Sequence, residues 1–341
     1  MNIIGRAVNI IPTKPHEQRN KQLFSFFLSG KQSGDKAFYI VTIAAAAYTL
    51  LMVALIAYAV GNGSQKIFSV EGFKFFTSTD WNSVEGRASF GALPYIIGTL
   101  VSSAIAMAIG VPISLGIAIF LSEMASTKIS APLSFVIEAL AAVPSIIYGL
   151  WALFVFRFWI LNLIELPLYN AFGKSIPFFA TAPFGLDIFT AGIVLAIMII
   201  PIISSICREV MRNVPDSQRE AAYSLGATRW EMVRIAIFPY AKSGILGAAM
   251  LGLGRAVGET MLVTLIIGNT IGAAAIPTSL FSQSQTLSSL IANEFNEASS
   301  DLQLSALIGL GAVLLIITMA INIGARLLVS RMVKVSPRIK E

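Results

Sequence analysis

Hydrophobic positions in this chain come as long unbroken runs rather than as the stripes of a soluble amphipathic helix. Six stretches qualify: Phe38–Val60, Tyr95–Leu121, Ser130–Phe156, Ile188–Cys207, Ser243–Ile267 and Leu304–Ala325. Each reaches the roughly 20 apolar residues that a helix needs to cross a bilayer. Four contain no Asp, Glu, Lys or Arg; the exceptions are Glu138 in the third and Arg255 with Glu259 in the fifth. The first stretch follows a 37-residue tail and lacks a small-x-small cleavage site, so it reads as an anchor and not as a cleaved signal. The pattern predicts an all-α integral membrane protein of six spans.

Composition agrees. Of 341 residues, 56% are hydrophobic and 12% charged, with mean hydropathy +0.77, whereas a soluble domain carries about 25% charged residues. A single cysteine, Cys207, and a single histidine, His16, exclude a disulfide framework and a Cys/His metal site. The charge of +6 is distributed by side of the membrane. The N-terminal tail carries six Lys or Arg, the loop after the second stretch Lys128 alone, the segment Arg208–Lys242 six, and the chain from Arg326 onward five. Together these hold eighteen of the 24. The positive-inside rule then places both termini in the cytoplasm, and a role with nucleic acid is set aside. Gly61–Pro94, with Phe73, Phe75, Phe76 and Trp81, reads as a small extracytoplasmic cap. Phe158–Asp187, interrupted by Pro167, Pro177 and Pro183, reads as re-entrant or surface-lying. Trp151 and Trp159 fit an interfacial aromatic belt.

The segment between the fourth and fifth stretches is coded for two short helices. Pro215 precedes Ser217-Gln218-Arg219-Glu220, which has the spacing of a capping box. Ala221, Ala222 and Leu225 continue that helix, and Gly226 is placed to stop it in a left-handed conformation. Thr228-Arg229-Trp230-Glu231 is a second capping box, opening a helix toward Pro239. Such an elbow is either a solvated connector or a stiff part that transmits force. In the fifth stretch, Arg255 is thirteenth of 25 residues, where a charge costs at least about 2.5–3.5 kcal/mol. Glu259 follows four residues later, on the same face of a continuous helix. The pair either neutralises itself as a structural element or meets an anion in transit. The Arg fork matches a tetrahedral oxyanion, and Glu259 could accept the O–H of hydrogen phosphate, which sulfate lacks. Gly254-x-x-x-Gly258 suggests a close approach of backbones. Pro144 in the third stretch predicts a kink, inert or gating.

Several of these residues resemble a known family. Glu220-Ala221-Ala222, then Gly226, then Ala236-Ile237-Phe238-Pro239 is similar to the EAA loop of ABC-importer permeases, with the proline in register and two apolar positions changed. The runs Gly254-Arg255-Ala256-Val257-Gly258-Glu259-Thr260-Met261, Ile267-Gly268-Asn269 and Val143-Pro144-Ser145-Ile146-Ile147-Tyr148-Gly149 resemble phosphate-specific permeases of the PstC type. The resemblance covers roughly residues 90–329. It implies a type I ABC importer permease fold with one extra N-terminal helix, in the bacterial plasma membrane: tail 1–37, first helix 38–60, loop 61–94, permease core 95–329 with coupling loop 208–242, and tail 330–341. It implies ATPase docking at Glu220, Ala221, Ala222 and Gly226, and phosphate passage by Arg255 and Glu259. It also implies the partners: a sister permease of PstA type, a homodimeric ATPase of PstB type and an extracytoplasmic phosphate-binding protein. No G-x-x-x-x-G-K-[ST] sequence occurs, so ATP–Mg is expected in the ATPase and no cofactor or catalysis in this chain. The rival readings are a sulfate or molybdate permease and an ion-coupled secondary transporter, though no inverted repeat is visible.

Overall fold

The computed structural model describes residues 33–333 apart from residue 85. His16, most of the basic N-terminal tail and residues 334–341 lie outside the described residues. Among the described residues six helices are long and apolar enough to cross a membrane: Asp35–Gly63, Leu93–Met124, Ser145–Phe172, Ile188–Arg212, Arg229–Gly258 and Asp301–Leu327. Among the described residues the fold is all-α but for one antiparallel ribbon pairing Trp81–Asn82 with Ser89–Phe90.

Two compact units meet at Tyr58 and Ala59. The first contains most of helix Ser33–Gly63, which is apolar on every side. A helix hydrophobic all round is suited to lipid rather than to water.

In the second unit the fourth span is the central helix, with 67% of its apolar window buried against 28% in the second span. Glycine brings these two together. A Cβ on Gly110 would lie 3.1 Å from Ile199 Cδ1, and one on Gly192 would lie 2.5 Å from Ile105 Cγ2. Ser114 donates to the Gly110 carbonyl at 2.6 Å and lies 3.3 Å from the Ile200 carbonyl across the interface. The fifth span packs on the fourth through Gly244, against Val210, and Gly252, against Ile203. This corrects the expectation for Gly254 and Gly258, whose missing side chains face open space.

The loop after the first span folds as a cap, from helices Gln65–Val70 and Lys74–Thr77 and the ribbon. Ile67, Phe75, Phe90 and Tyr95 are fully buried in it, while Phe73 is exposed. Trp81 donates its indole N–H to Glu294 Oε2 at 2.8 Å, and Ser305 both accepts from Ile67 N and donates to the Gly63 carbonyl, tying the cap to the sixth span.

Five sequence expectations change. The third span is not Ser130–Phe156: helix Thr127–Ala141 stops, the chain bends at Ala142–Pro144, and a new helical path runs Ser145–Phe172. Pro144 has no N–H to continue the first helix, and residues before a proline are driven out of the helical region. Pro167 does not interrupt this path, because the wide turn over Leu161–Glu165 makes room for its ring and the helix continues as Leu166–Phe172. The fifth span is not Ser243–Ile267: its helix ends at Gly258, and a separate helix spans Met261–Ile266. Finally, Ser217 and Glu220 form no capping box, since helix Asp216–Ser224 begins directly after Pro215 and places Ser217 inside its first turn. The second box does form: Thr228 Oγ1 accepts from Glu231 N at 3.4 Å, and Glu231 Oε2 accepts from Thr228 N at 2.8 Å. The helix it opens does not stop at Pro239. A wide turn over Val233–Ile237 makes room for the proline ring, and the helical path continues to Gly258.

Candidate functional site

The two helix breaks lie side by side. Gly149, one turn after Pro144, packs on the short helix that follows the fifth span: a Cβ there would sit 2.8 Å from Leu265 Cδ1 and 3.0 Å from Leu262 Cα. Tyr148, whose hydroxyl donates to the Leu140 carbonyl across the first break at 2.9 Å, is within electrostatic reach of Arg255. Irregular backbone at membrane depth is tolerated where it is buried in protein or lines a watery cavity. Paired breaks therefore mark where such a cavity belongs.

Arg255 lies in the last turn of the fifth-span helix, where the carbonyl ends favour a cation. Its level is still deep. Gly252 sits against Ile203 and Ile199, and Ile199 is the twelfth of the 25 residues of the fourth helix. The side chain is exposed and, among the described residues, makes no hydrogen bond or ion pair. It borders an open groove of about 520 Å³ with Ile202, Gly247, Met250, Leu251, Gly254 and Asn322. A permanently charged, unpaired donor fork at this depth can hold an anion.

Glu259 does not share a helical face with Arg255. The residue leaves the helix in extended geometry, with φ −71° and ψ 129°. Its Oε1 lies 3.5 Å from Leu262 N, capping the next short helix, and its carbonyl accepts from Ser288 Oγ at 2.8 Å. Oε2 has no partner among the described residues. The break separates the two charges along the chain, and the carboxylate turns to the freed amides of Met261–Ile266 rather than to the guanidinium.

In the elbow, Gly226 adopts φ +81° and ends helix Asp216–Ser224, as its sequence position predicted. Glu220, Ala221 and Gly226 are exposed, and Ala222 is buried beneath them. Leu225 is 85% exposed and Trp230 57%, an apolar tip flanked by charge. Glu138, which the sequence left unassigned, pairs with Arg208 at 2.7 Å.

Sequence reasoning missed two charged groups. Arg219, beside Glu220, reaches Glu123 on the second span. Glu165 and Asp187 are both fully buried and are linked through Thr190. Asp187 Oδ1 caps the fourth helix through Thr190 N at 2.9 Å, and Thr190 Oγ1 donates to Glu165 Oε1 at 2.7 Å. Burial first, then the neighbouring Glu165 carboxylate, push the Asp187 pKa up. Asp187 directly before an apolar run was a legible N-cap signal; nothing local marked Glu165 as its partner.

Residues 110–334 match the family described as binding-protein-dependent transport system inner membrane component. The chain is 48% identical over 292 residues to the phosphate transport system permease protein PstC of Pasteurella multocida, covering 85% of this chain and 89% of the relative. It is 44% identical over 301 residues to that of Mesorhizobium japonicum, covering 87% and 90%. A crystal structure of a bacterial ABC transporter importing the acidic polysaccharide alginate superposes with TM-score 0.53 at 17% identity, covering 85% of this chain and 98% of that one. That likeness concerns the fold alone.

Proposed function

Because this chain belongs to the binding-protein-dependent transport inner membrane components and is a permease subunit of a phosphate ABC importer, we propose that phosphate crosses at the paired helix breaks, held by Arg255. The observation that carries this reading is the unpaired guanidinium on an open groove, level with the middle of the fourth span. Desolvating a permanent charge there costs several kcal/mol unless an anion or water meets it. Glu259 Oε2 is free to accept the O–H of hydrogen phosphate, which favours phosphate over sulfate, while Oε1 keeps the break in shape. Pro144 serves as the flexing point of the third span.

The elbow docks an ATPase subunit through Glu220, Ala221, Ala222 and Gly226. Its exposed Leu225 and Trp230 support this, as isolated apolar tips on a charged arm suit a partner's groove. We assign the elbow face and both termini to the cytoplasm of a bacterial inner membrane, on the distribution of Lys and Arg. The further partners are a sister permease of PstA type, a homodimeric ATPase of PstB type carrying ATP–Mg, and a phosphate-binding protein at the opposite mouth. This chain performs no hydrolysis itself.

The test is ATP-driven uptake of labelled phosphate into vesicles holding the full importer, with sulfate as competitor. Arg255→Ala should abolish uptake while assembly and ATPase binding persist. Glu259→Gln should narrow the preference for phosphate. Robust uptake by Arg255→Ala would remove Arg255 from the pathway.

A further inference from the structure

The elbow is fastened to the spans by one side chain. Arg219 lies on helix Asp216–Ser224, one residue before Glu220. Its guanidinium engages Glu123 by two prongs, Nε to Oε2 at 3.2 Å and Nη2 to Oε1 at 3.1 Å. Nη2 also donates to the Met211 carbonyl at 2.9 Å, and Nη1 donates to the Val214 carbonyl and to Asp216 Oδ1. Glu123 belongs to the wide turn Phe120–Met124 that ends the second span. Met211 lies in the last turn of the fourth span, and Val214 just beyond it. The side chains of Glu123 and Arg219 are 5% and 17% exposed, so this is not one of the surface pairs that contribute little. The contact with Glu123 raises the Arg219 pKa beyond its ordinary range, and the charge is permanent. A planar fork fixed at several points resists both sliding and rotation, which a lysine ammonium would not.

We propose that Arg219 is the strut that carries displacement of the elbow into the second and fourth spans, a positioning residue for transport with Glu123 as its seat. The proposal rests on the reading of the elbow as the ATPase-docking part. The second and fourth spans touch closely at Gly110 and Gly192, so they respond as one body. The third span starts directly after the bend at Ala142–Pro144, and the fifth ends at Gly258 before a separate short helix. Force entering through Arg219 therefore moves this pair against two helices that each end at a break, and those breaks flank Arg255.

The experiment uses the full importer in proteoliposomes, with phosphate uptake and ATP hydrolysis measured in the same vesicles. Glu123→Gln and Arg219→Gln should keep ATPase binding and hydrolysis. Phosphate moved per ATP should fall by between about twofold and thirtyfold, the range for one coupling contact. The double variant should lose no more than either single one, because both remove the same link. Arg219→Lys should fall between. Asp301→Asn should match the parent, since its ion pair with Lys66 is exposed on both sides and touches neither the elbow nor Arg219. Uptake and hydrolysis falling in fixed proportion would overturn the strut in favour of a docking or folding role, as would an unchanged ratio. Should the Gln variants fail to assemble, Glu123→Asp keeps the charge and shortens the reach, and an unchanged ratio there also overturns the strut. Loss of ATPase binding by the parent chain would instead refute the docking reading, so the two failures are distinct.

Discussion

Gly244 and Gly247 stand one turn apart on the fifth-span helix, and alanine at the two positions should have opposite consequences. A Cβ on Gly244 would lie 2.4 Å from Val210 Cγ1, 2.7 Å from Cγ2 and 3.1 Å from Cβ, whereas one on Gly247 meets nothing within 4 Å. Ordinary contact needs about 3.4–4 Å, so the fourth and fifth helices must separate by roughly 1 Å, which forfeits a quarter to a half of the dispersion attraction along the contact. Val210 cannot turn away, because a β-branched side chain in a helix has one strongly preferred rotamer. Overpacking of this kind costs about 1–3 kcal/mol. Alanine also favours the helix by up to about 1 kcal/mol over glycine, but both variants receive that gain, and it cancels in the comparison. Gly244→Ala should therefore be less stable than Gly247→Ala by about 1–3 kcal/mol, or roughly 5- to 150-fold in the unfolding constant. The assay is reversible unfolding of the purified chain in mixed micelles by denaturing detergent. Equal stability of the two variants, or a greater loss in Gly247→Ala, would refute the assignment of Gly244 to the fourth–fifth interface.

Two further outcomes follow from local geometry. Asp187 holds its proton more tightly folded than unfolded, because its folded pKa is raised by burial and by Glu165. Stability is then full at low pH and is lost as pH climbs above the ordinary aspartate range toward the raised value. Asp187→Asn keeps the cap to Thr190 and removes this titration, so its thermal stability should decline less than the parent's between about pH 4 and about pH 8; parallel declines would refute the raised Asp187 pKa. Thr228→Ala removes the cap that opens the second arm of the elbow and should cost about 1 kcal/mol locally. Faster hydrogen exchange at Glu231 and Met232 would register it, and unchanged protection would show that the cap contributes nothing.

The spans were legible because a bilayer imposes a length and a polarity on a helix that no soluble context demands, and both are written in consecutive residues. Gly226 was legible for a similar reason, since a left-handed helix stop favours glycine wherever it occurs. The failures share a cause as well. Arg255 and Glu259 have the spacing of a helical pair, but that inference holds only if the helix between them is continuous, and Gly258 ends it. Ser217 and Glu220 have the spacing of a capping box, but the box needs Ser217 outside the helix, and Pro215 starts the helix too early.

What the sequence determined alone was the membrane class, the number of spans, the presence of an elbow and a charge where lipid would reject it. Each of these follows from local composition or from a few neighbouring residues. Tertiary structure alone decided which glycines meet a neighbour and which face an open groove, that Arg219 seats on Glu123 96 residues away, and that the two helix breaks lie beside Arg255. Those are facts of helix packing, set by the rotation and depth at which one helix meets another, and an unbroken apolar run specifies neither.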